Sequence, residues 1–429
     1  MARDTASIAP KRLLVIAYYF PPMGLSGVQR IARFVKYLPD NGWTPTVLTV
    51  RPRGYFAFDA TLEDEIDERE IEIIRTASVD PTRIFGPSKT VALPEESRRK
   101  SLSELSQWVF LPDNKIGWLP FAVLEGSRLL RKHRFDVILS TAPPYTAHLV
   151  GAALSRRHNL PLLLDYRDDW LDNPRHVYPT SFHGRLHRSM ERWATRPARA
   201  IVTINPVIAS AISARGGKHV DVIEQGFDPE DLTERVQPDR DVFRVTYTGI
   251  FYDAQRPDSF LRGCGRFLQH RPEARRHLRI DFAGTLPSYA FDLARDMNLS
   301  EILTFHGYLE HADAVRLQLC SSVLWMMIGR RPGAESISTG KLFEYIGTGR
   351  RILALVPDGA ARDLLSRCSS AITTDPDAPE EIAGALNQLY DEWLHDAVPQ
   401  PDADFVKQFD RRTLTQRLAS LLDTISISP

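Results

Sequence analysis

Cysteine is scarce in this chain: there are three in 429 residues, Cys264, Cys320 and Cys368, with no CxxC pair and no Cys/His cluster. That scarcity excludes a disulfide framework and a cysteine-built zinc site, and it fits a reduced, cytoplasmic compartment. A surplus of either charge is missing too. Lys+Arg and Asp+Glu both number 54, so the formal net charge is zero, and the overall balance gives no reason to expect nucleic acid as a partner. There is no run of about 18–20 apolar residues, the length needed to span a bilayer. The polar stretch from Met1 to Arg12 also lacks the long apolar segment of a signal peptide. What remains is ordinary globular material, 43% hydrophobic and 25% charged, long enough for two or three domains with cores of their own.

Apolar runs alternate with amphipathic segments. Leu13–Tyr18 is a continuous apolar run of the kind buried on both faces. A loop with Gly24 and Gly27 follows it, then a helix with Val28, Ile31, Ala32, Val35 and Leu38 on one face. Further strands are expected at Pro45–Thr49, Ile71–Ile74, Asp136–Ser140, Pro161–Asp165, Ala200–Ile204 and Val220–Glu224. Helices near Pro120–His133, Thr146–Arg156 and Pro206–Arg215 separate several of them. After the polar stretch Asp228–Asp241 the alternation restarts, with strands at Phe243–Thr248, Leu278–Phe282, Ile302–Phe305, Val323–Met327 and Arg351–Val356. Repeated β-loop-α-β units imply parallel sheets. The expected fold is therefore α/β, with two doubly wound Rossmann-like domains, 1–235 and 236–404, facing across a central cleft. An inserted loop rich in Pro, Ser, Arg and Lys interrupts the pattern near 81–106. In such sheets ligands bind beyond the carboxyl ends of strands.

Several motifs fall at those ends. The loop Phe20-Pro-Pro-Met-Gly-Leu-Ser-Gly27 has glycines that let backbone N–H groups approach a phosphate or sugar, although a plain tight turn would look the same. Asp165-Tyr-Arg-Asp-Asp-Trp170 follows a strand, and Asp165, Arg167 and Asp168 are the catalytic candidates. Carboxylates there can orient sugar hydroxyls or accept a proton; a surface Asp–Arg pairing is the plainer alternative. Pro332–Ile346 is the densest signal. Ser338, Thr339, Gly340 and Lys341 present N–H groups, hydroxyls and an ammonium suited to a diphosphate. Glu344, one turn on, can accept hydrogen bonds from a ribose diol. The Gly-Lys pair is not a P-loop, because the GxxxxGK spacing and a following Ser or Thr are missing. Gly249 with Arg256 is a weaker phosphate signal. Asp375/Asp377 and Asp402/Asp404 read as loop residues, and His148, His306 and His311 have no metal-ligand spacing.

With these motifs in order, the chain from about Leu13 to Leu422 resembles family 4 of the retaining GT-B glycosyltransferases, especially bacterial members that build cell-surface polysaccharides. The motifs that carry the resemblance are Phe20-Pro-Pro with Gly24/Gly27, Leu111-Pro-Asp113 with Trp118, Ser140-Thr-Ala-Pro-Pro144, Asp165–Trp170, Gln225-Gly-Phe-Asp228 and Lys341-Leu-Phe-Glu-Tyr345. The resemblance implies a nucleotide-sugar donor held by the second domain, with Glu344 on the ribose and Lys341 and Arg256 on the diphosphate. It implies a glycan, lipid-linked or small-molecule acceptor on the first domain, no metal, no cofactor beyond the co-substrate, and retention by front-face attack. The loop with Gly27 would close over the donor, and residues 405–429 would form a helix crossing back to the first domain. Two departures stand out. The family often has two glutamates with seven residues between them; here Ser336 takes the first place and Glu335 is one residue away, so either is the candidate for the donor sugar. Thr141 stands where many members carry a histidine.

Two other readings remain at this level. A nucleotide-sugar epimerase would need its own acid and base, and no His/Glu/Asp pairing supplies them. A catalytically silent binding subunit is favoured by the missing glutamate and histidine. The insert mixes Arg98, Arg99 and Lys100 with Phe85, Leu93 and Trp108, a combination that binds membrane interfaces. Peripheral contact with the inner face of the cell membrane is thus an expectation beside that of a solvated loop.

Overall fold

The computed structural model describes residues 10–24, 26–53, 58, 60–84, 105–173, 176–234, 236, 238–251 and 255–427. Most of the insert, including Phe85, Leu93, Arg98, Arg99 and Lys100, lies outside them. The chain forms two compact units, Met1–Glu224 with Arg411–Pro429, and Gln225–Asp410.

The first unit is built on strands β1 (Lys11–Ile16), β2 (Trp43–Val50), β3 (Glu72–Thr76), β4 (Val137–Ala142), β5 (Leu162–Tyr166), β6 (Ala198–Thr203) and β7 (Val220–Val222). They lie in the order β3-β2-β1-β4-β5-β6-β7, every pairing parallel. The second unit has β8 (Phe243–Ile250), β9 (Leu278–Thr285), β10 (Leu303–Gly307), β11 (Val323–Met327), β12 (Arg351–Leu355) and β13 (Ala371–Thr374). Their order is β10-β9-β8-β11-β12-β13, again parallel throughout. Both sheets thus reverse direction of growth beside their first strand, at β1/β4 and at β8/β11.

Side chains alternate across a strand, and each strand face meets a helical layer. On β1, Leu13 and Val15 enter one core while Leu14 and Ile16 enter another. On β11, Val323, Trp325 and Met327 face one core and Leu324 and Met326 the other. This two-sided burial is why the strands read as unbroken apolar runs. Strand β13 escaped that signal: it is short, contains two threonines, and sits at a sheet edge.

The last helix, Arg411–Ile427, belongs to the first unit. Leu414, Leu418, Leu422 and Ile425 share a core with Leu13, Val15 and Val35, matching helical spacing. Asp423 anchors its far end, accepting from Lys11 Nζ at 2.8 Å and Trp43 Nε1 at 3.1 Å. Among the described residues no helix is long and apolar enough to cross a membrane. Leu418 has no solvent exposure, so Leu418→Ala is expected to cost about 2–5 kcal/mol, read as a lower denaturant midpoint for the transition of the first unit.

Candidate functional site

The chemistry-bearing motifs gather at the carboxyl ends of the inner strands, and each unit forms its own group. In the first unit, Asp165 ends up buried at 1% exposure. Its Oδ1 accepts from Arg30 Nη2 at 2.9 Å and Nε at 3.0 Å, and its Oδ2 accepts from Thr141 Oγ1 at 2.8 Å. Arg30, fully buried, also donates from Nη1 to the Glu224 carbonyl at 2.5 Å. Thr141 and Asp165 are register partners on β4 and β5, which explains their contact. This is a closed ionic knot tying the helix Ser26–Tyr37 to β4, β5 and the chain after β7.

Arg167 turns the other way. Its Nε and Nη2 donate to the carbonyls of Ala142 and Pro143, and a Cβ at Gly27 would lie 3.1 Å from its Nη1. Gly27 and Arg167 are therefore brought together. Burial lowers the Arg167 pKa, while Asp165 and Asp168 pull it back up. Asp168 is exposed and makes no hydrogen bond among the described residues. Asp169 is instead a structural group, held by Arg215 Nη2 at 2.7 Å, which also binds Glu191. In the Leu111-Pro-Asp113 motif, Asp113 accepts from Thr146 N and Oγ1 at 3.0 and 2.8 Å, fixing that loop to the helix Thr146–His158. A buried cluster not foreseen from sequence lies beyond β1, where Asp80 accepts from Tyr18 Oη at 2.6 Å and faces Lys115 Nζ at 3.7 Å.

In the second unit, Lys341 opens the helix Gly340–Thr348. Its Nζ lies 3.7 Å from the centre of the Tyr247 ring. Gly249, with φ of 132°, permits that placement, because a Cβ there would sit 2.6 Å from the ammonium. Gly284 is equally constrained, since a Cβ would overlap the Gly249 carbonyl. Tyr345 fastens the helix to β8, accepting from Thr248 N at 3.1 Å. Gln318 Nε2 then donates to Thr248 Oγ1 at 3.0 Å. The Arg256 N–H reaches Met327 Sδ at 3.1 Å, which puts Arg256 at the end of β11, next to β8. Gly249, Arg256 and Lys341 thus share one sheet end.

The start of that helix keeps unused polar groups. Thr339 is its N-cap without a side-chain capping bond, and its Oγ1 is buried with no hydrogen-bond partner. The N–H groups from Thr339 to Lys341 donate to no acceptor among the described residues, and the space beside Gly340 is open. Ser338 is buried at the same turn. Glu344 is partly buried one turn on and makes no hydrogen bond among the described residues. Glu335 is exposed, whereas Ser336 Oγ donates to the Gly333 carbonyl at 2.9 Å. Burial brings the Lys341 ammonium down to about 7, against the opposing pull of Glu344. Unused N–H groups, a helix N-terminus and a cation make an anion cradle.

No described group of three or more His, Cys, Asp or Glu is placed to hold a metal ion. Asp402 caps the helix Ala403–Lys407, and Asp375 pairs with Arg330.

Residues 27–226 match the family model described as a glycosyl transferase 4-like domain. No curated protein sequence matches the chain. Among solved structures, Anabaena HepE in complex with UDP and glucose is similar at 15% identity and a TM-score of 0.61, covering 97% of this chain and 100% of that one. Sucrose-phosphate synthase from Thermosynechococcus elongatus gives 14% and 0.63, with coverage of 96% and 98%. The lipopolysaccharide outer core galactosyltransferase WaaB gives 13% and 0.59, with coverage of 96% and 99%. The fold is the GT-B type, two Rossmann-like domains.

Arg30→Met would leave Asp165 buried and uncompensated, at a cost of about 3–5 kcal/mol, measurable by chemical denaturation. For Lys341, an anion bound at the cradle would hold the ammonium charged. Free Lys341 is mostly neutral at pH 8.5, so nucleoside diphosphate binding there should take up close to one proton. Calorimetry in buffers of different ionisation enthalpy reads that uptake, and Lys341→Met should abolish it while weakening binding about 10- to 100-fold.

Proposed function

We propose that the protein transfers a sugar from a nucleotide-sugar donor to an acceptor hydroxyl on a glycan, a lipid-linked acceptor or a small molecule. The single observation that carries this reading is the cradle at the start of the Gly340–Thr348 helix: the buried, unpartnered Thr339 Oγ1, the free N–H groups through Lys341, and Lys341 itself against Gly249. A diphosphate fits that set of donors, with Arg256 supplying a second cation and Glu344 meeting the ribose diol. The glycosyl transferase 4-like match over residues 27–226 supports the same class of reaction.

In this reading the second unit holds the donor and the first unit the acceptor, with Glu335 or Ser336 nearest the donor sugar. Arg167 and Gly27 act at the acceptor side together with Asp168, whose exposed carboxylate is available to a hydroxyl. Asp165 acts at one remove, by fixing Thr141 and Arg30. The bond from the anomeric carbon to the phosphate oxygen breaks while the acceptor oxygen bonds to the same face. Attack on the face that the phosphate leaves retains the configuration, the acceptor proton goes to the departing phosphate oxygen, and this reading calls on no resident metal or cofactor. Lys341 and the helix N-terminus stabilise the charge that develops on the leaving diphosphate. The enzyme acts in the cytoplasm on polysaccharide precursors.

Titration of UDP, GDP, ADP and TDP into the wild type and Glu344→Ala tests the donor site. Selective binding of one nucleotide, weakened about 10-fold or more by the substitution as expected for a lost hydrogen bond to a charged group, is the expected result. Binding of none would sink the reading, and binding untouched by Glu344→Ala would move the ribose contact elsewhere. With a donor in hand, turnover that persists in chelator and yields a product of unchanged anomeric configuration by proton NMR would complete the test.

A further inference from the structure

The helix Ser181–Thr195 has an unusual outer face. Its inward side buries Gly184, His187, Glu191 and Ala194. At 3.6 residues per turn, positions 182, 185, 189, 192, 193 and 196 fall within about 100° of arc on the opposite side. That arc carries Phe182 at 57% and Trp193 at 42% exposure, together with exposed Arg185, Arg192 and Arg196. Arg188 flanks it, also exposed. The helix's one acidic residue, Glu191, is spent inside on Arg215 at 3.1 Å.

Two neighbouring features extend the face. A shallow pocket of about 540 Å³ is lined by Arg156, Ser189, Arg192, Trp193, Arg196 and Pro197, three guanidinium groups and no carboxylate. Arg156 lies over the Trp193 ring at 4.1 Å and donates to the Trp193 carbonyl at 2.6 Å. Burial lowers the Arg156 pKa and Arg196 lowers it further, which is what like charges crowded without a counter-ion would do. Beside the start of the helix, the helical segment 105–109 exposes Leu105 at 64%, Trp108 at 55% and Val109 at 67%. Trp108 meets His183 edge-on at 5.6 Å, which sets these apolar groups beside the first turn of the helix.

The geometry points to this face as a docking surface for an anionic lipid bilayer, with the arginine pocket taking lipid phosphates and Phe182, Trp108 and Val109 entering the interface. Charge complementarity names the sign of the partner, since the face holds arginines without ion pairs among the described residues. The exposed aromatic and aliphatic groups name its class. A soluble polyanion would satisfy the arginines and leave those groups in water, whereas an interface buries both kinds. The inference is independent of the donor site and would place the acceptor reaction at a membrane surface.

The test is flotation of the full-length protein with vesicles of phosphatidylcholine alone or mixed with phosphatidylglycerol, at low and high salt. Binding only to the anionic vesicles, weakened by salt, is expected. The triple variant Arg185→Gln, Arg192→Gln, Arg196→Gln should lower the partition about a hundredfold, at roughly fivefold for each arginine near the surface. Trp193→Ala should also weaken it. Circular dichroism and nucleotide affinity should stay unchanged in both variants, which separates failure of this inference from failure of the donor site. Equal binding to both vesicle types, or a triple variant that floats as well as the wild type, would overturn the assignment. So would absence of flotation when a heparin column retains the protein through the same arginines, which would make the face a site for a soluble polyanion.

Discussion

A strand buried on both faces has nowhere along its length to expose a reactive side chain. In β1 from Leu13 to Ile16, and along all of β11, every position is committed to one core or the other, so on these inner strands polar chemistry is pushed to where the strand stops. Each sheet reverses its order beside its first strand, at β1/β4 and at β8/β11. Helices leave in opposite directions there, and the strand ends between them stay uncovered. The positions of Thr141, Asp165 and Arg167 in one unit, and of Gly249, Arg256 and Lys341 in the other, follow from that constraint before any question of activity arises.

The same constraint explains what the sequence makes legible. Two-sided burial demands continuous apolar runs, so the inner strands stand out, while the threonine-containing edge strand Ala371–Thr374 does not. Motifs at strand ends are legible as positions, but not always as roles. Asp165, Asp168 and Asp169 look equivalent along the chain. Asp165 is neutralised by Arg30, 135 residues away, and Asp169 by Arg215, 46 residues away, and no local pattern announces partners at such separations. Only Asp168 is left exposed. In the second unit the Gly340-Lys341 step was readable because it opens an amphipathic helix. Tyr247, Gly284 and Gln318 were not, because they reach the site from other elements: the β8/β9 register brings Tyr247 and Gly284 together, and Gln318 arrives from the helix His311–Leu319.

The start of the Gly340–Thr348 helix also shows a local conflict between stability and binding. A buried hydroxyl without a partner costs about 1–3 kcal/mol, and Thr339 Oγ1 is such a group. Nearby, burial works against the charge on Lys341, and Gly249 at positive φ gives up a side chain to let the lysine lie close. The first two weaken the isolated fold, and both would be relieved by one anion bound at the start of the helix. That two unrelated costs share one remedy is a stronger argument for a ligand than any one motif.

The zero net charge conceals a further asymmetry. Carboxylates such as Asp165, Asp169 and Glu191 are drawn inside the first unit, where Arg30 and Arg215 neutralise them. Glu191 is the one acidic residue of the Ser181–Thr195 helix and it points inward, so the arginines on the outward side have no counter-charge on their own helix. A cationic face with exposed aromatics can therefore arise in a chain whose composition is balanced, because the fold, and not the totals, decides where each sign of charge meets solvent.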